Sequence, residues 1–144
     1  MDNALLDTYR RADYRVRLAQ GGWASIRVDT PVPAALAALI GPHGWAFITA
    51  WNPFSQRQSR RQNHAAQQSL LLALRKLASL IAIRPAVGVG GGWCEPSLFV
   101  VGPAPAELDA LAQQFRQNAY VHGLADGHAR LRLSSDQPPR GQAG

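Results

Sequence analysis

The stretch FITAWNPFSQRQSRRQNHAAQQSLLLAL, residues 47–74, decides the fold because it runs from an apolar strand through a polar elbow into a leucine-striped helix. In WAFITAW, residues 45–51, both alternating sets of side chains are largely apolar. This pattern predicts a central strand that is buried on both faces. Asn52 precedes Pro53, so we expect an extended backbone at Asn52 and a turn just beyond it.

Capping signals after the elbow predict where the long helix begins. The S-x-x-Q pattern of a capping box occurs twice, starting at Ser55 and at Ser59. The helix is predicted to run to about Leu80, and Asn63 lies two turns back along its apolar stripe, so we expect Asn63 to point inward. The stripe itself consists of Leu70, Leu74, Leu77 and Ile81.

The rest of the chain mixes hairpins with short helices. Apolar and polar residues alternate on both sides of Gly21-Gly22, and Asp126-Gly127 marks a second hairpin. RPAVGVGGG is expected to be a strand that frays into a flexible glycine loop, and PSLFVVG is expected to be a buried strand. Short helices are predicted in NALLDTYRRADY, AALAALI and APAELDALAQQF. Together these elements predict an α+β fold with a mixed, mostly antiparallel sheet of about six or seven strands, one long helix and two or three short ones.

Length and composition predict one globular domain over residues 1–133 and a disordered tail over 134–144. The chain has 144 residues, of which 47% are hydrophobic, and its single cysteine, Cys94, excludes an internal disulfide. The acidic start MDNALLDTYRR is unlike a signal peptide, and Arg75 and Lys76 interrupt the most apolar run. We therefore expect a cytoplasmic protein without a membrane segment.

The net charge of +6 is concentrated in the middle of the chain. No Asp or Glu occurs between Thr30 and Cys94, whereas the basic residues there are Arg57, Arg60, Arg61, Arg75, Lys76 and Arg84. Such a block favours an anionic partner, either a small ligand or, through the region 57–84, a nucleic-acid backbone. The alternative is a solvated face whose arginine content reflects genome composition.

Three arginines, Arg57, Arg60 and Arg61, lie where a helix start normally carries acids. One explanation is an anion bound by the turn N–H groups and the guanidinium groups. The other is that these side chains extend into solvent or pair with an acid from elsewhere in the fold.

Three further residues carry candidate chemistry at the elbow and beyond it. Asn52 and Asn63 could hold the polar edge of a ligand, or their amides could satisfy backbone groups of the turn. Glu95 is the first acid after Asp29. It could act as a general base, accept a hydrogen bond from a ligand, or serve as counter-ion of the elbow arginines, which is the explanation we favour.

Motifs for established chemistry are missing from the sequence. GVGGGW is followed by a strand and lacks the helix that a phosphate loop requires. The four histidines are scattered without metal-ligand spacing, and Cys94 is expected to be a packed residue. The sequence therefore predicts no metal and no cofactor, and it leaves catalysis open, with Glu95 as the catalytic candidate.

The T-A-W-N-P-F-S block, together with Asn63, EPSLFVVG and FRQNAYVHG, resembles a bacterial family known as domain of unknown function 3293. The resemblance extends from about Tyr9 to Leu133 and implies matching positions but no activity, substrate or cofactor. Members usually have an acid just before the asparagine that matches Asn63, whereas this chain has Gln62. The matching positions are Thr49, Asn52, Pro53, Ser55, Asn63, Glu95, Ser97, Gln117 and Asn118.

The leading hypothesis is a binding pocket for a small polar or anionic ligand at the strand, elbow and helix of residues 49–63. The candidate ligand-binding residues are Thr49, Asn52, Ser55, Gln56, Arg60, Arg61, Asn63, Glu95, Ser97, Gln117 and Asn118. Two alternatives stay open: a nucleic-acid or protein-binding module that uses the basic surface, and an interaction protein whose polar motif only builds the turn.

Overall fold

The computed structural model describes residues 3–134, which form four α-helices and seven strands. The helices are α1 (Asn3–Arg11), α2 (Ala34–Ile40), α3 (Arg60–Arg75) and α4 (Pro105–Gln114). The strands are β1 (Asp13–Arg17), β2 (Trp23–Ile26), β3 (Gly44–Ile48), β4 (Ala82–Gly90), β5 (Trp93–Val101), β6 (Ala119–Leu124) and β7 (Arg130–Leu133). A short 3-10 turn, Pro53–Ser55, lies between β3 and α3.

All seven strands form one sheet in the order β2-β1-β4-β5-β3-β6-β7. Each neighbouring pair in this sheet is antiparallel. The predicted α+β fold is therefore confirmed, whereas the prediction of a mixed sheet is wrong for residues 3–134. Hairpins join β1 to β2, β4 to β5 and β6 to β7. The strands that are joined through helices run in the same direction, but at least one antiparallel strand lies between them in the sheet, so no parallel pair arises in this part of the chain.

The sheet curls until the segments beside its two edge strands meet. The Asp29 N–H donates to the Ala129 carbonyl at 2.8 Å, and the Ala129 N–H donates to the Thr30 carbonyl at 2.9 Å. Asp29 and Thr30 follow β2, and Ala129 precedes β7. These bonds pair backbone groups that an open sheet would leave free at its edges, and they give the sheet an enclosed side.

Strand β3 lies between two hydrophobic cores, which confirms its predicted burial on both faces. Trp45 and Phe47 belong to the core on the enclosed side of the sheet, which α2 also packs against. Ala46 and Ile48 belong to the core on the other side, which α3 and α4 cover. The strand ends at Ile48, so the elbow begins three residues earlier than the pattern to Trp51 predicted.

The glycine-rich segment forms a hairpin and not a frayed loop. Strand β4 continues to Gly90, and the two residues Gly91-Gly92 connect it to β5. In the register of this hairpin Gly88 is opposite Glu95 and Gly90 is opposite Trp93. A Cβ atom at Gly90 would overlap the indole nitrogen of Trp93, so the glycine gives the indole room to lie across β4.

Helix α3 uses only one of the two predicted capping boxes and ends earlier than predicted. Ser59 is the N-cap, and its hydroxyl accepts the N–H of Gln62 at 3.1 Å, while Ser55 belongs to the preceding 3-10 turn. The helix ends at Arg75 and not near Leu80, because the Ile81 N–H donates to the Val101 carbonyl at 2.8 Å and so joins the sheet. Ile81 is 53% exposed and does not extend the apolar stripe.

Some predictions concern the chain ends and the membrane. No helix in residues 3–134 has the length and apolar character needed to cross a membrane. Ser134, which was assigned to the disordered tail, is buried, and its N–H donates to the Asn118 carbonyl at 2.9 Å. The rest of the predicted tail, residues 135–144, lies outside the described residues.

We expect Ser59→Ala to lower the free energy of unfolding by about 1 kcal/mol, because it removes the N-cap acceptor of α3. Urea denaturation at pH 7 measures this change. Ser69→Ala is the matched control, since Ser69 is an exposed position within the same helix. Equal losses in the two variants would contradict the capping role of Ser59.

Candidate functional site

The elbow after β3 has a left-handed backbone at Asn52, with φ 46° and ψ 71°, so the predicted extended conformation is wrong. Asparagine tolerates this region better than most residues. The conformation lets the Asn52 N–H donate to the side-chain oxygen of Asn63 at 2.8 Å. A contact with a residue eleven positions away therefore overrides the local preference before Pro53.

Asn52 and Asn63 form a reciprocal amide pair. Oδ1 of Asn52 accepts from Nδ2 of Asn63 at 2.8 Å and from the backbone N–H of Gln58 at 3.2 Å. Oδ1 of Asn63 also accepts from Nε2 of Gln58 at 2.8 Å. Asn63 points inward as predicted and is only 3% exposed, so its amide performs the structural duty of satisfying turn donors.

Backbone strain is concentrated in the same turn. Besides Asn52, both Phe54 (φ 53°) and Ser55 (φ 60°) have positive φ. A non-glycine residue in this region costs on the order of 1–3 kcal/mol unless its surroundings fix it. The Phe54 N–H donates to the Arg116 carbonyl at 2.6 Å, which ties the turn to the segment before β6.

Two adjoining cavities open at this elbow. The inner chamber has a volume of about 40 Å³ and reaches between the elbow and the enclosed side of the sheet, where it contacts Phe47 and Val121. The outer cleft has a volume of about 230 Å³ and is bounded by Leu5 and Thr8 of α1. Both cavities are lined by Tyr9, Asn52, Ser55, Trp93 and Glu95.

Most of the predicted site residues converge on these cavities. The inner chamber is lined by Thr49, Asn52, Ser55, Glu95, Ser97 and Gln117, which come from three separate parts of the chain. Asn118 lies at the rim, where its Nδ2 donates to the hydroxyl oxygens of Tyr9 and Ser55, each at 3.3 Å. Asn63 lies behind Asn52 and lines neither cavity.

The remaining predicted residues, Gln56, Arg60 and Arg61, are exposed and line neither cavity. Arg57, which was not among the candidate ligand-binding residues, lines the outer cleft. The arginines at the helix start therefore do not converge on one enclosed point.

Sequence reasoning missed the aromatic lining of the inner chamber, which comes from Tyr9, Tyr14, Phe47, Trp51, Trp93 and Tyr120. The rings of Tyr14 and Phe47 meet edge to face at 5.1 Å between centroids. Alternation in their strands marked some of these residues as apolar, but only the pairing of β1 with β4 brings Tyr14 beside Glu95 and the elbow. The glycines at 88 and 90 opposite Glu95 and Trp93 were the local signal that something packs against β4.

Glu95 is the acid of the site. Burial raises the pKa of its carboxyl from 4.5 to about 7, and a hydrogen bond from the Asn52 side chain lowers it in part. Glu95 forms no ion pair with any residue in 3–134, so the favoured explanation of Glu95 as counter-ion of the elbow arginines is wrong for this range. Glu95 is therefore a partly buried acid whose pKa is raised toward neutral pH.

Hydroxyl groups surround this carboxyl. The hydroxyls of Tyr9 and Ser55 are hydrogen-bonded at 2.6 Å, and the Tyr14 hydroxyl donates to the Tyr9 carbonyl at 2.6 Å. Burial, with smaller contributions from Tyr9 and Glu95, raises the pKa of Tyr14. Within residues 3–134 no group of three or more His, Cys, Asp or Glu side chains is placed to hold a metal ion.

The fold and the cavities define a small α+β domain with a polar cleft between a curled sheet, α1 and a strained elbow. A family model described as "Protein of unknown function (DUF3293)" matches residues 48–120. The match covers half of the chain, and the protein belongs to this family. It begins at the last residue of β3 and includes the elbow, α3 and Glu95, but it is shorter than the resemblance from Tyr9 to Leu133. No curated protein and no solved structure matched the chain.

We expect Asn63→Ala to lower the free energy of unfolding by about 2–3 kcal/mol, because it leaves the Asn52 N–H and the Gln58 amide without their acceptor. Urea denaturation measures the loss. Gln68→Ala, at an exposed position of α3, serves as the control and should change stability by less than about 0.5 kcal/mol.

We expect Glu95→Gln to stabilise the protein at pH 8 but not at pH 4.5. The unfolded chain loses the Glu95 proton near pH 4.5 and the folded chain only near pH 7, so the wild-type stability falls between these values, by up to about 3 kcal/mol. The glutamine variant lacks this fall. Thermal unfolding at several pH values tests it, with Asp7→Asn, at an exposed acid, as the control. A difference between wild type and Glu95→Gln that is constant with pH would contradict the assignment.

Proposed function

We propose that the protein binds a small polar ligand at the elbow, with the body of the ligand in the outer cleft and a polar group beside Glu95. The observation that carries this proposal is the position of Glu95, a partly buried carboxyl that forms no ion pair within residues 3–134 and lies on the wall that the two cavities share. The family itself implies no ligand, so the proposal depends on the geometry.

The cost of burying the Glu95 carboxyl argues that this residue has a role other than stabilising the fold. A carboxyl is stable in an apolar environment only when it is hydrogen-bonded, paired or neutral. Asn52 supplies one side-chain hydrogen bond, and the raised pKa shows that this is insufficient to offset burial. Unlike Asn63, Glu95 therefore does not stabilise the elbow, and acids with shifted pKa values in clefts are common at functional sites.

Under this proposal Arg60 and Arg61 do not contact the ligand. Arg60 and Arg61 were expected to supply charge to a bound anion, yet neither lines a cavity. Arg57 alone borders the outer cleft, while Glu95 borders both cavities. The proposed ligand is still polar, but in the inner chamber it contacts the Glu95 carboxylate, which is a hydrogen-bond acceptor.

A chemical role for Glu95 is compatible with binding. A carboxyl with a pKa of about 7 exists in both protonation states near neutral pH, as a general acid or base requires. The hydroxyls of Tyr9 and Ser55 lie on the same wall, so a bound molecule would meet proton-carrying groups on the side of α1 and on the side of the elbow.

A second candidate function is nucleic-acid binding through the basic region 57–84. Arg57, Arg60 and Arg61 are exposed, and none of them forms an ion pair with another residue in 3–134. Such cations are free to contact phosphates. This candidate uses the outside of the helix start and does not involve Glu95.

A screen of small polar compounds by protein NMR tests the first proposal. The indole N–H signal of Trp93 is the reporter, because Trp93 lines both cavities. We expect compounds that shift this signal, and we expect Glu95→Gln to weaken them at least tenfold while Asp7→Asn leaves them unchanged. A screen that yields no compound acting on Trp93, or compounds that bind Glu95→Gln equally well, would refute the proposal.

The two candidate functions are separated by salt and by the variant used. Binding of a labelled single-stranded oligonucleotide that weakens steeply with salt, is lost in the Arg60→Ala, Arg61→Ala double variant and is unchanged in Glu95→Gln would favour nucleic-acid binding. Binding of small compounds that depends on Glu95 would favour the cleft.

A further inference from the structure

The inner chamber presents aromatic rings and one carboxyl. Six of its lining residues are aromatic, and no Arg, Lys or His within residues 3–134 lines it. Aromatic faces carry a negative electrostatic potential, so a cation within about 6 Å of a ring centre is attracted to it. The chamber therefore combines two features that both favour positive charge.

Apart from the indole N–H of Trp93, most side-chain hydrogen-bond donors around the chamber are already used within the protein. The hydroxyl of Thr49 donates to the Pro96 carbonyl at 2.8 Å, and that of Ser97 donates to the Glu95 carbonyl at 3.1 Å. Nε2 of Gln117 donates to the carbonyls of Trp51 and Phe115, each at 3.3 Å. The Tyr14 hydroxyl also donates to a backbone carbonyl.

Hydrogen-bond acceptors remain available in the chamber, whereas few donors do. The Glu95 carboxylate has several lone pairs and a single protein side-chain donor, Asn52. Of the two hydroxyl hydrogens of Tyr9 and Ser55, one is used in the bond between them. A molecule that enters the chamber therefore finds mostly acceptors, and its matching group is a donor.

We infer that the ligand of this cleft is a small organic ammonium ion, whose cationic head enters the inner chamber between Glu95 and the aromatic rings of Tyr14, Phe47 and Trp93. This inference rests on the proposed function and specifies its ligand class. The head donates hydrogen bonds to the carboxylate, and the rings surround its methylene groups and stabilise its charge.

The volumes of the two cavities set the size of the ligand. A water molecule needs on the order of 10–15 Å³ of such volume, so a chamber of about 40 Å³ holds roughly three groups of that size. An ammonium group with one or two methylene groups fits this space. The rest of the ligand extends into the outer cleft of about 230 Å³.

The outer part of the site favours an acceptor on the tail of the ligand. Arg57 lines the outer cleft and supplies a positive charge. Nε1 of Trp93 is buried and has no hydrogen-bond partner within residues 3–134. It lies over Gly90, two residues closer to the hairpin turn than Gly88, which is opposite Glu95. Arg57 is therefore the donor at the outside of the site, so a carboxylate or hydroxyl tail complements it.

The inference also predicts how the affinity for the ammonium ligand depends on pH. The carboxyl must be ionised to bind a cation, so affinity should rise about tenfold per pH unit below pH 7 and level off above it. The other titratable groups that line the two cavities are Tyr9, Tyr14, Tyr120 and Arg57. Burial raises the pKa values of Tyr14 and Tyr120, so these phenols stay neutral over this range.

Four probes with four carbon atoms each test the ligand class: n-butylammonium, 4-aminobutanoate, butanoate and 1-butanol, titrated at pH 8 with the Trp93 indole signal as reporter. We expect the two ammonium compounds to bind and the other two not to bind. We expect 4-aminobutanoate to bind several-fold more tightly than n-butylammonium, because its carboxylate reaches Arg57. Lowering the pH to 6 should weaken both ammonium compounds about tenfold, since the amines stay protonated while Glu95 does not stay ionised.

Variants assign the contacts. Glu95→Gln should weaken both ammonium compounds at least tenfold and remove the pH dependence, whereas Arg57→Ala should weaken only 4-aminobutanoate. Trp93→Phe keeps an aromatic face and should bind within about threefold of wild type, while Trp93→Leu should bind markedly less. Circular dichroism verifies folding, and if Trp93→Leu fails to fold, Glu95→Gln and Arg57→Ala still decide the outcome.

The possible failures are distinguishable. Butanoate or 1-butanol binding as well as n-butylammonium, or ammonium binding that Glu95→Gln leaves intact, would overturn the ammonium inference and leave the cleft as a site for another ligand. The same holds if only unrelated compounds from the screen depend on Glu95. If neither the four probes nor any compound of the screen shifts the Trp93 indole signal, both the ammonium inference and the proposed binding function are refuted.

Discussion

The reciprocal amide pair of Asn52 and Asn63 is the interaction on which the site depends. The side-chain oxygens of Asn63 and Asn52 accept from the backbone N–H groups of Asn52 and Gln58, which the strained turn would otherwise leave unsatisfied. The Asn63 side-chain nitrogen also donates to the Asn52 side-chain oxygen. Because Asn63 is fixed in α3 and Asn52 ends the segment after β3, the pair sets the distance between strand and helix. It also uses both lone pairs of Asn52 Oδ1, so the amide nitrogen of Asn52 is the group available to Glu95. Fold and electrostatics are therefore coupled through one side chain.

The curl of the sheet explains why Glu95 is buried at all. An open sheet would leave the face of β5 at Glu95 in contact with water, whereas the bonds between the segments at Asp29 and Ala129 close one side. Tyr14 on β1 and the Trp93 indole then cover the carboxyl, and α1 places Tyr9 across the opening. The desolvation that raises the Glu95 pKa is thus a consequence of topology, and it strengthens any charge interaction inside the chamber.

The sequence predicted local structure well and long-range structure poorly. The two glycine-marked hairpins, the buried strand β3 and the capping box at Ser59 are confirmed, since each depends on residues within a few positions of one another. The predicted end of α3 was wrong because the Ile81 N–H donates to the carbonyl of Val101, which is twenty residues further along the chain. The family resemblance implied only that Thr49, Asn52, Ser55 and Glu95 are matching positions, and their convergence was a hypothesis that chain order alone could not establish. The aromatic wall was missed, because the pairing of β1 with β4 joins segments about seventy residues apart.

The arginines at the start of α3 are unusual for a helix N-terminus, but Arg60 and Arg61 do not line the cavities. Cations near a helix N-terminus are unfavourable by only tenths of a kcal/mol when exposed, so solvent suffices to accommodate them. Glu95 is the opposite case: its neighbours in sequence look ordinary, yet its burial costs far more than the helix-end repulsion. A charge that is locally misplaced but solvated carries little information, whereas a charge that the fold deprives of water requires a partner. By that criterion the proposed site centres on Glu95, and the proposed ammonium ligand would supply the positive charge that no Arg, Lys or His lining the inner chamber within residues 3–134 supplies.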